Sequence, residues 1–241
     1  MAPAILVERK GPFAFITLNR PRRGNVITHA MMQQLAAHVD GFAADPNLRA
    51  VVVRGNGKDF CYGRDPKGPS GPPPGSAFEL HDRVFGKILG VYKAFRACPA
   101  PVISVVQGRA LGFGCALVGG SDMAIASEAA RFALPEMAHG IAPTLAMSAL
   151  AKVAPKALAH MVYSMDEIDA QTALAVGLIS RIAPADGVED ALGDLLEKLA
   201  GYDVPAVRAV KRFLATGPGL DPDTMADLAG YTLATVNTRP K

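Results

Sequence analysis

Long apolar runs are missing from this chain: no stretch of its 241 residues approaches the ~20 consecutive apolar residues of a membrane span. The opening "MAPAILVERK" carries charges where a secretory signal would carry its apolar stretch. Cysteine is scarce too. Cys61, Cys98 and Cys115 are odd in number and lack metal-ligand spacing, which argues against a zinc site or a disulfide framework and for free thiols in a reducing compartment. One-sided charge is also absent. The 25 Lys and Arg residues are scattered among 22 Asp and Glu, for a net charge of +3, so nothing in the composition points to nucleic acid, while a small anionic ligand stays open. The expectation is a soluble, cytoplasmic protein with neither a membrane nor a nucleic-acid partner.

Several catalytic signatures are lacking as well. A dinucleotide fingerprint needs G-x-G-x-x-G, and the candidate Gly112-x-Gly114 has Leu117 in the last place. No phosphate-binding G-x-x-x-x-G-K-[ST] and no G-x-S-x-G elbow occurs. The histidines His29, His38, His81, His139 and His160 show no metal-binding spacing, so each reads as a surface or satisfied histidine.

What is present is a globular composition, 50% hydrophobic and 20% charged, enough for a sizeable core and incompatible with disorder. Strands at 5–9 and 13–18 meet at Gly11-Pro12 as a hairpin. Thr28 caps a helix whose apolar residues Met31, Met32, Leu35, Val39 and Phe42 recur at helical spacing up to Asp45-Pro46. "AVVVRGNG" and "PVISVVQG" read as buried strands, 76–97 as one helix, and the Gly- and Pro-rich stretch 63–75 as a mobile loop. A short apolar helix and a strand at 123–127 follow the second of these strands. Helices are then expected at 143–153, 156–163 and 169–176, with a strand at 178–182. After Pro184 only helices are apparent, at 187–201, 204–215 and 222–236. The pattern predicts an α/β core over residues 1–185 and a helical region over 186–241.

Three glycine-rich stretches could carry chemistry: residues 55–65, 107–117 and 131–143. A strand that ends at glycines before a helix start exposes unpaired N–H donors, a ready site for a developing negative charge. Taken singly, such a turn is more often only a turn. Glu136 is set among Phe132, Ala133, Leu134, Met137 and Ile141, with Pro135 before it. An apolar setting disfavours the charged form of a carboxylate and moves it toward the range useful for proton transfer. A solvated loop glutamate is the equally simple reading.

Four segments carry a resemblance: "RPRRGNVIT", "GNGKDFCYGRD", residues 101–143 and "AQTALAVGLISRIAP". In order and spacing, over roughly residues 5–215, they resemble the signatures of the enoyl-CoA hydratase/isomerase (crotonase) superfamily. The resemblance implies a crotonase-like spiral of ββα units, a C-terminal helical region that packs into a homotrimer or a hexamer of two trimers, an acyl-CoA substrate, and no metal or other cofactor. Its oxyanion hole would be the backbone N–H groups of Arg64 and Phe113, the latter standing where the family usually has glycine. Its CoA contacts would fall on Arg22, Arg23, Gly24 and Asn25, then on Arg64, Asp65, Pro66 and Lys67, and on Gly112 and Phe113. Arg22, Arg23 and Lys67 would face CoA phosphates, although solvated roles suit them equally.

Two departures shape the functional expectation. The family's hydratases use two glutamates, whose places are Ala116 and Glu136 here, so one is missing. The chain also ends "TLATVNTRPK" where relatives usually continue through a helix that covers CoA. Isomerases of the family keep only the second glutamate, so Δ3,Δ2-enoyl-CoA isomerisation with Glu136 as the sole base is expected. The alternatives are a hydratase or decarboxylase-type enolate reaction with a second acid or base recruited from Tyr62, Glu79, His81 or Asp82, and a catalytically silent binding protein.

Overall fold

The run Ala50–Gly55 (β3) is apolar at consecutive positions because both of its faces are covered. In the computed structural model, which describes residues 2–67 and 74–239, β3 lies inside a six-stranded sheet of order β1-β2-β3-β4-β6-β9. Its other members are Ile5–Lys10 (β1), Phe13–Leu18 (β2), Val102–Val106 (β4), Met123–Ser127 (β6) and Arg181–Ala183 (β9). The hairpin β1–β2 is antiparallel and every other pair in the sheet is parallel.

Strand alternation divides the core in two. Val51 and Val53, with Ile16 and Leu18 of β2, face the helices His29–Ala43 (α1), Gly86–Ala97 (α3) and Phe113–Gly120 (α4). Ala50 and Val52, with Phe15 and Ile125, face the helix Val188–Gly201 (α8) through Val188, Ala191, Leu192 and Leu199. Thr28 caps α1 as expected, its hydroxyl accepting from the Met31 N–H at 3.2 Å.

A second, smaller sheet was not legible in the sequence. It joins Arg109–Leu111 (β5), Arg131–Ala133 (β7) and Ile168–Asp169 (β8), with β5 and β7 parallel. Strands of two or three residues are too short to show a period. The chain runs from β4 through β5 into α4, and from β6 through β7 into the turn Pro135–His139 and the helix Thr144–Ala149 (α5). Each pass sets one strand in the large sheet, one in the small sheet, and then helix: the ββα spiral.

Two other expectations are revised. The helix expected at 76–97 is interrupted: Ala77–Leu80 (α2) leads into a wider π-helical segment, His81–Phe85, before α3. The strand expected at 178–182 starts later, at Arg181. The stretch 63–75 is described only at its two ends, and 68–73 lie outside the described residues.

Pro155–Ser164 (α6) and Ala170–Ala175 (α7) lie between α5 and β9, and Val204–Thr216 (α9) and Pro222–Asn237 (α10) follow α8. Buried Lys211 of α9 ties that helix to the sheet. Its Nζ reaches the Asp122 carboxylate at 2.6 and 2.7 Å and the Phe95 carbonyl at 3.0 Å, while Asp122 Oδ2 also accepts from the Val102 N–H at 2.7 Å. Deleting one partner of a buried ion pair leaves the other charged and unsatisfied. Lys211→Met is therefore expected to destabilise the fold by about 3–5 kcal/mol, read from the urea midpoint, whereas the exposed Lys198→Met should change it by less than about 0.5 kcal/mol.

Candidate active site

Three segments run side by side in one direction. Cys61 pairs in parallel with Ala110, and β5 pairs in parallel with β7 so that Leu111 lies opposite Ala133. The Cys61 N–H donates to the Arg109 carbonyl at 3.1 Å, the Leu111 N–H to the Cys61 carbonyl at 2.8 Å, and the Gly112 N–H to the Ala133 carbonyl at 2.9 Å. Just past these bonds each segment turns: at Gly63-Arg64, at Gly112-Phe113 and at Pro135-Glu136.

The two expected donors are free to act. Ile27 bridges to Arg64 in parallel, with the Ile27 N–H on the Gly63 carbonyl and the Asp65 N–H on the Ile27 carbonyl, both at 2.9 Å. Such a bridge leaves the Arg64 N–H facing away from Ile27. Phe113 opens α4, so its N–H has no acceptor within the helix. Among the described residues neither N–H has a hydrogen-bond acceptor. The two turns are in contact, since a Cβ on Gly63 would lie 3.7 Å from Phe113 N and one on Gly114 only 2.2 Å from the Cys61 carbonyl. The Phe113 side chain does not fill the space in front of its amide: it is buried and stacks on Tyr92 of α3, ring centroids 5.8 Å apart.

Glu136 reaches the same place. Pro135 begins its turn, and the Ile141 N–H closes on the Glu136 carbonyl at 3.2 Å. A Cβ on Gly112 would stand 2.9 Å from Glu136 Oε1, and Gly112 itself has φ +52°, a left-handed backbone. The carboxylate thus lies over the glycine that precedes the Phe113 donor. Its Oε2 is buried and has no hydrogen-bond partner. Burial pushes the carboxyl above its ordinary value against a smaller opposing pull from its own backbone N–H and from the Arg64 guanidinium. The arrangement suits a reaction that moves a proton beside a carbonyl whose oxygen acquires charge.

The remaining expected residues divide by what their side chains touch. Asn25 is fully buried: its Nδ2 donates to the Asn56 and Asp59 carbonyls at 2.9 and 2.8 Å, and its Oδ1 accepts from the Arg20 N–H. Asp65 accepts from Arg20 Nη1 and from the Lys67 N–H, both at 3.2 Å. These two side chains brace the loops. Arg22, Arg23, Pro66 and Lys67 are exposed, and Gly24 lies under the Tyr62 ring, where its Cβ would be 2.5 Å away. Of the four candidate second groups, Tyr62 donates its hydroxyl to Asp59 at 2.9 Å, and Glu79 is held by the Gly75 N–H and by Arg83. His81 and Asp82 are exposed on the π-helical segment.

Two residues of the site were not recognised in the sequence. Tyr92 is buried against Phe113, and its hydroxyl is pushed up by burial first and by the Glu136 charge second. Its helical spacing matched any core residue. His29, read above as a surface or satisfied histidine, has a buried Nδ1 with no partner. Burial, then Lys87 and Arg64, holds its pKa below the ordinary value. The signal available was its position directly after the Thr28 cap and two residues beyond Ile27.

Known proteins share both sequence and architecture with this arrangement. A family model described as enoyl-CoA hydratase/isomerase matches residues 8–224. The chain belongs to the enoyl-CoA hydratase/isomerase family. It is 35% identical over 210 residues, 86% of this chain and 79% of the relative, to a probable enoyl-CoA hydratase of Rhizobium meliloti. It is 31% identical over 87% of its length, and 81% of the relative, to the 2,3-dehydroadipyl-CoA hydratase of Escherichia coli. A solved enoyl-CoA hydratase of Mycobacterium smegmatis superposes with a TM-score of 0.93 at 30% identity, covering 99% of this chain and 93% of that one. The protein is therefore an acyl-CoA enzyme of crotonase fold.

Among the described residues no group of three or more His, Cys, Asp or Glu is placed to hold a metal ion, and no helix is long and apolar enough to cross a membrane. The contact between Gly112 and Glu136 is directly testable. Gly112→Ala adds a Cβ that must displace the carboxylate and strains a left-handed backbone, so turnover is expected to fall by about 10²-fold. Circular dichroism should show the fold retained, and an unchanged rate would mean that Glu136 works from another position.

Proposed function

We propose that the enzyme is a Δ3,Δ2-enoyl-CoA isomerase with Glu136 as its single base. The reading is carried by one observation: a half-buried carboxylate lies over the Gly112-Phe113 turn, while the family's other glutamate position is Ala116, which is fully buried and carries no acid. In this reading the thioester oxygen accepts from the Arg64 and Phe113 N–H groups. Glu136 takes a proton from C2, the electron pair enters the thioester as an enolate conjugated with the C3–C4 double bond, and the same carboxyl returns the proton to C4. The double bond moves to C2–C3 with no net gain or loss of atoms. Each oxyanion donor contributes about 3–4 kcal/mol to such a transition state, and the positioned base about 10²–10⁴ in rate.

Hydration is the second reading, favoured by the hydratase names of the relatives. It needs a group beside Glu136 to position water, and the Tyr62 and Glu79 side chains already have protein partners.

Side-by-side rates on 3-hexenoyl-CoA and crotonyl-CoA separate the two. The expected result is isomerisation well above hydration, and a loss of about 10²–10⁴ in isomerisation, or about 3–5 kcal/mol, on Glu136→Gln. Because burial raises the Glu136 pKa, the basic form appears at higher pH than for a free carboxylate. The acid limb of kcat/KM should therefore inflect above 4.5. Fast hydration that survives Glu136→Gln would overturn the assignment.

The reading includes self-association into a trimer or hexamer. Val210 and Leu214 of α9 and Tyr231 and Leu233 of α10 are half or more exposed, an apolar surface suited to a second copy. Light scattering at micromolar concentration is expected to give three or six subunits, and a monomer would refute this part.

A further inference from the structure

Arg64 enters the mechanism only through its backbone, yet its side chain is a guanidinium that makes no ion pair among the described residues. Arg20 is paired with Asp65, Arg54 with Glu189 and Arg109 with Glu167, whereas Arg64 is partly buried and has neither an ion pair nor a side-chain hydrogen bond among the described residues. Its direction follows from the local backbone. Arg64 and Asp65 are consecutive in a segment bridged at Arg64 to Ile27, and the Asp65 carboxylate, largely buried, is taken up by Arg20 and the Lys67 N–H. Alternation then turns Arg64 to the other side, the side of Glu136. Electrostatics agrees with the geometry: the guanidinium acts on Glu136 in the 135–139 turn, on Tyr92 of α3 and on His29 of α1. Its charge is thus felt by groups on three elements, the 135–139 turn, α3 and α1.

The surroundings are short of negative charge. Lys87 of α3 acts on His29 as Arg64 does, and the buried His29 Nδ1 lacks a partner. Glu136 is the acidic group in reach, but it makes no ion pair with Arg64 within 4 Å, and burial raises its pKa despite the cation. A partly buried guanidinium with five fixed donors is matched best by a planar carboxylate, which accepts two parallel hydrogen bonds. The residue whose amide would hold the thioester oxygen would thus present its side chain along the acyl chain of the same substrate.

We infer that the preferred acyl-CoA carries a second carboxylate on its acyl chain, held by the Arg64 guanidinium with Lys87 and His29 beside it. This deepens the acyl-CoA assignment of the site, and it rests on the hole described above rather than on the direction of the double-bond shift. Arg64 would then set substrate choice with its side chain while its backbone serves the chemistry, two roles that substitution separates because every residue except proline keeps the N–H.

The test uses saturated thioesters, which cannot be isomerised or hydrated. Dissociation constants for succinyl-CoA against butyryl-CoA, adipoyl-CoA against hexanoyl-CoA, and free CoA are measured by titration calorimetry on the wild type, Arg64→Leu and Arg64→Lys. The expected result is that, at one chain length at least, the wild type binds the carboxylated member about tenfold or more tightly than its neutral partner. In Arg64→Leu the preference should shrink to within about twofold, with Arg64→Lys between, since an ammonium keeps the charge but not the two-pronged geometry. Should the leucine variant fail to fold, Arg64→Gln serves in its place. No preference in the wild type, or one that survives loss of the guanidinium, would overturn the inference. An equal loss for all thioesters and for free CoA would also overturn it, because Arg64 would then be holding a CoA phosphate. A carboxylate preference in a protein that isomerises nothing would sink the isomerase reading and leave this inference standing.

Discussion

The parallel register that sets Cys61 beside Ala110 and Leu111 beside Ala133 is the constraint on which the site depends. Parallel neighbours finish at the same edge, so whatever follows each strand is delivered to one place. Here three successive passes of the chain deliver the Arg64 amide, the Phe113 amide and the Glu136 carboxylate. A slip of one residue in β5 would turn the Phe113 N–H toward the wrong face and, in the proposed reaction, leave the enolate oxygen without one of its donors. The large sheet and its helices hold that register, and apart from the first N–H of α4 they supply no group of the proposed reaction, which is why apolar substitution in the core should act on stability before it acts on chemistry.

Much of this was visible in the residues and some was not. The long elements declared themselves through periodicity: Met31, Met32, Leu35 and Val39 on α1, and the unbroken apolar runs of β3 and β4. The small sheet did not, because Arg109–Leu111 and Arg131–Ala133 are each only three residues long. Yet that sheet builds the site. The glycine turns and the apolar neighbours of Glu136 are visible locally, but their convergence depends on contacts between positions far apart in the chain, such as Leu111 with Ala133 and Cys61 with Ala110, that local pattern does not encode. Phe113 illustrates the limit: sequence fixes its backbone role only through resemblance, and only the stack on Tyr92 explains how a large ring is accommodated where glycine is usual.

Glu136 and Gly112 form a second dependency. The carboxylate occupies room that any side chain at 112 would take, and its Oε2 is shielded with no protein partner. That is unfavourable for the folded protein, since a buried polar atom without a partner costs about 1–3 kcal/mol. If Glu136 is the base, stability is yielded at the point where reactivity is needed, and ties such as Lys211 to Asp122 lie elsewhere in the fold.

Two of the three thiols border this site, Cys61 on the strand that leads to Arg64 and Cys115 in the first turn of α4. The Cys61 sulfur accepts from the Gly63 N–H at 3.4 Å, but burial still pushes the thiol up to about 12, and burial together with the Glu136 charge raises Cys115 further. Burial therefore favours the neutral thiol over the thiolate, the form that attacks an acyl group. Where the proposed site holds a thioester, the same apolar packing that surrounds it keeps both sulfur atoms in the form that does not take an acyl group.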